Sequence, residues 1–346
     1  MDENRVLVQL SHPAHVHFFK HFIWECDEQG VETKILVTEK DLSIELTECY
    51  NFEYDSLAGV NTRVVPLKQM KYNVLTRRAI SSFEPDVVTS IGGTAASHAS
   101  LLTETKSLIF TDTEHARLQN AITFPFADRI CTPDCYLDDI GAKQVRYPGY
   151  HELAYLHPNR FEPDPGILDE IGITPTDRFV VLRIVGWDAV HDIGDGGFTD
   201  VVDVIETLEE TGVRVFITAE KDVPRAIEHC QLSIAPHRIH HLLYYADLFI
   251  GESATMASES ALLGTPAIFV SSSRRGYTDE LEEKYDLVFN FSEGNRQTKA
   301  LEKALTILEE YEPERWKTRR EQVLADKIDT TEFIIDQVQE MTRNGR

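Results

Sequence analysis

Short runs of Val, Ile and Leu alternate along this chain with segments of helical periodicity. That alternation constrains the fold more than any other feature. "RVLVQL" (5–10), "TKILVT" (33–38), "TRVVPL" (62–67), "DVVTSIGG" (86–93), "SLIFTD" (107–112) and "DRICTP" (128–133) read as strands. Several are nearly continuously apolar, as parallel strands covered on both faces must be. Parallel neighbours require right-handed crossovers, so the fold class is α/β with open, doubly wound sheets. Residues 151–177 hold four prolines and few strand formers, which places a linker at 156–177. A second series follows: "RFVVLRIVGW" (178–187), a helix near 199–211, "RVFITAE" (214–220), "DLFIGES" (247–253), "PAIFVSS" (266–272) and "DLVFNF" (286–291). From Arg296 onward the pattern is charged and helical. The expectation is two Rossmann-like domains, 1–155 and 178–325, facing a central cleft, with a helix over 326–346 packing back on the first domain. In such sheets ligands bind at the C-terminal ends of the strands.

Charge then removes whole classes of function. The chain carries 34 basic against 58 acidic residues, a formal net charge of -24. Nucleic-acid binders need a basic face, so no nucleic-acid partner is expected. The same balance argues against docking on anionic lipid. The acidic residues are scattered over the whole length, which suggests adaptation to high salt. A protein that stays folded and active without molar salt would refute that reading. Five spread cysteines form no disulfide framework, and Cys131 and Cys135 lack the second ligand pair of a zinc site. The N-terminal residues have no leader pattern and no apolar run reaches membrane-span length, so a soluble, cytoplasmic protein is expected.

"SHPAHVHFFKHF" (11–22) concentrates four histidines just after the first strand. His17 and His21 are one helical turn apart, but no glutamate sits between them and no third ligand is evident, so no metal is expected. Position divides the four. His12 and His15 belong to the loop or helix start, with His15 the candidate catalytic residue, and His17 and His21 to the helix body.

The block "ADLFIGESATMASESALLGTPAIFV" (246–270) carries the most specific pattern. A strand runs into Gly251, small residues Ser253, Ala254 and Thr255 follow, and a helix over roughly 256–263 carries Glu259. Gly264-Thr265-Pro266 ends it. Small residues at a helix N-terminus let backbone N–H groups approach a diphosphate, and a carboxylate one turn deeper suits ribose hydroxyls. An ordinary strand–helix turn with a serine cap fits the bare pattern equally. The block resembles the donor-nucleotide motif of glycosyltransferase-B-fold proteins. Within them it is similar to the transferase adding N-acetylglucosamine to the lipid-linked cell-wall precursor, and to UDP-N-acetylglucosamine 2-epimerase. That resemblance implies Ser253 and Thr255 at the phosphates and Glu259 at the ribose. Ala254-Thr255 departs from the usual glycine pair.

"SHPAHVHFFK" (11–20), "FTDTEHARLQNAITFPFADRICTP" (110–133) and "LRIVGWDAVHDIG" (182–194), with the donor block, resemble an uncharacterised archaeal and bacterial family of the glycosyltransferase-B superfamily. Asp112, Glu114 and His115 close a strand, where an acid or imidazole suits general acid–base work. The resembling epimerase has a catalytic glutamate at the place of Glu114. Alternatively, Asp112 and Thr113 cap the next helix. Arg183 is the candidate diphosphate partner and Gly186 allows close backbone approach, while Trp187 fits either a base cover or a core position. The Arg274–Arg275 pair suits either an anionic ligand or solvent. "SIGGTAAS" (90–97) lacks the third glycine of a dinucleotide fingerprint, so no cofactor is expected.

These readings point to a metal-independent glycosyltransferase using a nucleotide-sugar, taken as a UDP-sugar, with a glycan or lipid-linked acceptor. The base is His15 or Glu114. A homodimer is left open. The alternatives are a 2-epimerase, although Gly93 stands where that family has an acid, and a non-catalytic nucleotide-sugar binder.

Overall fold

The structure is a computed structural model that describes residues 4–39, 42–57, 64–184, 198, 200–219 and 223–343. It divides into two compact units, 1–160 with 327–346, and 161–326.

The first unit opens with β1 (Arg5–Leu10), α1 (Pro13–Glu28), β2 (Glu32–Val37), α2 (Ser43–Cys49) and β3 (Asp55–Ser56). It continues through α3 (Val65–Phe83), β4 (Val87–Ile91), α4 (Thr94–Ser100), β5 (Lys106–Phe110), α5 (Arg117–Thr123), β6 (Arg129–Pro133), β7 (Gln144–Tyr147) and α6 (Leu153–Leu156). Its seven strands pair in the order β3-β2-β1-β4-β5-β6-β7, all in parallel. The strand order reverses between β1 and β4, the switch point where doubly wound sheets take ligands. One face of the sheet packs the apolar sides of α3 and α4 around Leu7, Ala79, Ile80, Val88, Ala96 and Ile109. On α1, Phe18 and Phe19 are fully buried and contact Phe110 of β5. Burying one such ring contributes about 1.5–3 kcal/mol.

Residues 64–67 do not form the expected strand. Val64 caps α3 and Pro66 lies in its first turn, where a missing N–H costs nothing. Residues 62 and 63 lie outside the described residues.

The second unit contains α7 (Gly166–Glu170), β8 (Phe179–Ile184), α8 (Val201–Glu209), β9 (Arg214–Ala219), α9 (Ile239–Tyr245), β10 (Leu248–Gly251) and α10 (Ala254–Leu263). There follow β11 (Ala267–Val270), α11 (Gly276–Glu283), β12 (Val288–Phe291), α12 (Arg296–Glu310) and α13 (Pro313–Asp326). Its five parallel strands run β12-β11-β10-β8-β9. β8, β10 and β11 are almost entirely inaccessible, which explains their apolar sequences, broken only by Arg183 in β8.

The chain then returns to the first unit as α14 (Thr330–Arg343). Phe333 stacks on Tyr147 at 4.6 Å, and Arg129 donates to Gln337 and Glu340. Thr330 and Thr331 donate to the carbonyls of Tyr150 and Ala154. Arg160 holds both Asp329 and Glu25 at 2.7 Å. Among the described residues no helix is long and apolar enough to cross a membrane.

Candidate functional site

In the second unit, the turn after β10 is shaped by what cannot fit there. A Cβ on Gly251 would lie 2.7 Å from the Arg183 carbonyl oxygen. Glycine therefore lets β10 and β8 close up, with Gly251 in register beside Arg183. The Glu252 N–H donates to that same carbonyl at 3.1 Å. Ser253 caps α10, its hydroxyl accepting from the Met256 N–H at 3.3 Å. Gly264 closes the helix in the left-handed conformation at φ 92°. Arg183, Ser253, Ala254 and Thr255 are thus brought to one strand end, at the positive pole of a ten-residue helix.

Glu259 lies one turn deeper and is 4% exposed. Its Oε1 is 2.9 Å from His240 Nε2, and His240, on α9, is itself 2% exposed. A carboxylate expected at the ribose is therefore already anchored from below by a buried imidazole. Sequence reading places His240 on a packed helix and gives it no carboxylate partner. It sits among "RIHHLLYY", whose spacing shows only a packed helix. Gly186 and Trp187 lie outside the described residues. Arg274 is engaged by Asp279, Glu282 and Glu283 of α11, the helix that follows it, and Arg275 donates to Ser273. The charge of Arg274 is thus met locally.

In the first unit, the end of β5 presents Asp112 and Glu114. Helix capping does not occupy them: Ala116 is the cap of α5 and makes no side-chain bond. Asp112 Oδ2 instead meets His151 Nδ1 at 3.1 Å, and its Oδ1 accepts from Thr113 at 2.7 Å. Burial works against ionisation here, yet the His151 imidazole and the Thr113 hydroxyl prevail and hold the Asp112 carboxyl down at about 2. A carboxylate that acidic is a poor proton acceptor near neutrality, so Asp112 acts better as the partner that orients His151. His151 packs on Phe18, and its Nε2 is buried with no hydrogen-bond partner among the described residues. Nothing in the sequence pairs Asp112 with His151. Their meeting requires β5, β6 and β7 to lie side by side. Glu114 Oε1 accepts from the Leu137 N–H at 3.2 Å.

The four histidines of α1 have four different roles. His12 caps the helix, its Nδ1 accepting from the Ala14 N–H at 3.2 Å. His15 Nδ1 is 3.2 Å from Ser11 Oγ, which fixes the ring at the end of β1. His17 is buried against Tyr50 at 3.0 Å. His21 is driven down to about 3 by burial and by the Lys20 and Arg160 charges. None of these contacts is a metal-ligand arrangement.

Among the described residues of the second unit, Glu209, His229 and Cys230 bring one donor atom each within 4.8 Å of one another. Glu209 ends α8 before β9, and His229 and Cys230 lie in the short turn of helix that follows β9, an edge strand of the sheet. No role in the candidate site follows from them.

Residues 4–342 match the family described as "Protein of unknown function (DUF354)". The chain is a member of that family. An uncharacterized protein of Methanocaldococcus jannaschii is 25% identical over 291 residues, covering 76% of this chain and 80% of that protein. The UDP-GlcNAc 2-epimerase of Neisseria meningitidis, solved bound to UDP-GlcNAc, superposes with a TM-score of 0.70 at 13% identity, over 97% of this chain and 100% of that one. MurG of Acinetobacter baumannii gives 0.58 at 16% identity, over 97% and 99%. Likeness at such identities is likeness of fold: this DUF354 member has the two-unit, glycosyltransferase-B architecture.

Proposed function

We propose that this protein binds a nucleotide-sugar, a UDP-sugar, on its second unit and transfers the sugar to a glycan or lipid-linked acceptor without a bound metal. The observation that carries the reading is the Gly251 turn, where close approach of β8 and β10 gathers Arg183, Ser253 and Thr255 at the start of α10 with Glu259 beneath. Backbone N–H groups and a guanidinium there suit a diphosphate. Glu259, held by His240, is assigned to the ribose hydroxyls.

The chemistry follows from those assignments. An acceptor hydroxyl attacks the anomeric carbon, the bond from that carbon to the diphosphate oxygen breaks, and UDP leaves. Arg183 and the pole of α10 take up the charge that develops on the leaving group. The acceptor proton goes to a base of the first unit, His15 or Glu114, and Asp112 holds His151 in a fixed orientation. Ser11 holds the His15 ring through Nδ1 at 3.2 Å, at the end of β1.

A second reading, 2-epimerisation, is favoured by the Asp112–His151 pair, which offers a buried acid–imidazole couple for moving a proton to and from carbon. One experiment separates the readings. Calorimetry with UDP tests the donor site, and incubation with UDP-sugars followed by chromatography reads turnover. Free UDP indicates transfer or donor hydrolysis, a mixture of sugar epimers indicates epimerisation, and binding without turnover fits either a non-catalytic binder or a transferase deprived of its acceptor. Failure to bind UDP at all refutes the donor assignment.

A further inference from the structure

Helix α3 breaks the charge rule that governs the rest of the chain. Residues 64–83 hold four basic side chains and no carboxylate, in a protein of net charge -24. The inward side of the helix is ordinary: Thr76, Ala79 and Ile80 are buried against the core. The outward side is apolar as well. Leu67, Met70 and Val74 are 47%, 58% and 47% exposed, and their spacing sets them in one stripe. Lys68, Lys71 and Arg78 are exposed along one flank of that stripe. Among the described residues none of these three cations is paired with a carboxylate.

The other flank leads to the turn after α4. Arg77, two helical turns beyond Met70, donates to the carbonyls of Ala99, Leu101 and Leu102. That grip holds Leu101 and Leu102 out in water, Leu102 at 98% exposure with φ 61°. A leucine so exposed in the left-handed region is costly in water and suits an apolar medium.

We propose that the outward face of α3, with the Leu101–Leu102 turn, docks on an anionic lipid surface. Aliphatic side chains one helix wide enter the headgroup boundary, and lysines beside them extend to the phosphates. The net charge of the chain does not forbid this. At physiological ionic strength charges act over only about 8 Å, so the local acid-free face decides the contact. A face of aliphatic residues and lysines, without Trp, Tyr or Arg at its centre, fits lipid better than a protein partner. The docking stands independently of the donor reading, although a lipid-linked acceptor would be met on the same surface.

Flotation with vesicles tests it, comparing phosphatidylglycerol with phosphatidylcholine at about 0.15 M and about 1 M salt. Wild-type protein is expected to float with phosphatidylglycerol and much less with phosphatidylcholine. L67D/M70D should abolish flotation at both salt levels. K68E/K71E should weaken it at least about tenfold at the lower salt and less at the higher. K317E on α13, remote in sequence and also exposed, should float like wild type. All these positions are on the surface, and thermal unfolding verifies that each variant is folded. Wild-type protein that floats with neither lipid, or variants that float unchanged, overturns the proposal. A dimer weakened by the same two variants, without vesicle binding, assigns the face to a second copy of the chain and also overturns it.

Discussion

Replacing Glu259 separates its binding role from its packing role, because two substitutions remove different things. Glu259 is 4% exposed and its Oε1 lies 2.9 Å from the Nε2 of His240, which is 2% exposed. Glu259→Ala deletes the partner of a buried imidazole, which costs about 1–3 kcal/mol of stability. It also deletes the acceptor assigned to the ribose, a charged hydrogen bond of about 1.5–3 kcal/mol. At 1.4 kcal/mol per factor of ten, UDP affinity should fall between about 10-fold and 150-fold. Glu259→Gln keeps an oxygen for His240 and removes only the charge. Its melting temperature should stay near wild type, while UDP affinity falls by roughly 3–10-fold. Calorimetric titration with UDP and differential scanning calorimetry read the two effects separately. The decisive result is the pairing. If both variants bind UDP like wild type while Glu259→Ala is destabilised, Glu259 is only a packing partner of His240 and the donor site is misplaced.

Three further outcomes follow from the geometry. Gly251→Ala forces a methyl against the Arg183 carbonyl at 2.7 Å, and moving β8 away should cost about 1–3 kcal/mol and lower UDP affinity, read by denaturant titration and calorimetry. Asp112→Asn removes a carboxylate held at about 2 against an ordinary 3.8, worth about 2 kcal/mol at neutral pH. A lowered folded-state value stabilises above pH 3.8, so the wild-type advantage should vanish as pH falls from 3.8 to 2, and turnover should drop with UDP binding intact. His21 is held at about 3 against 6.5, so protonation favours unfolding as pH falls below 6.5. Wild type should lose up to about 1.4 kcal/mol per pH unit in that window relative to His21→Gln, and parallel stability curves for the two proteins refute the assignment.

What the sequence discloses, and what it withholds, follows from how far each feature reaches along the chain. Central strands such as β1, β8 and β10 are covered on both faces, so their apolar runs are local and visible. β7 is an edge strand reading "QVRY", with polar residues exactly where a run would be sought, and β3 is two residues long. Residues 64–67 look like a strand because adjacent valines favour one, but Pro66 belongs to the opening turn of α3. The Gly251 turn is legible for the same local reason: glycine, small residues, a serine cap and the helix stop all lie within one stretch. The two buried histidine–carboxylate pairs are not, since Asp112 with His151 and Glu259 with His240 each join separate elements.

Charge shows the same limit in another form. A net charge is an average over the chain, while a surface acts through the few side chains within a screening length of its partner. The 20 residues from 64 to 83 contain no acid, yet their contribution disappears in a total of -24. Composition alone therefore argues against lipid docking, and only the helix exposes the contrary fact: Leu67, Met70 and Val74 share one outward stripe with lysines beside it. An average sets the long-range field and the solubility of this protein. Under the docking proposal, which surface it touches is decided on α3.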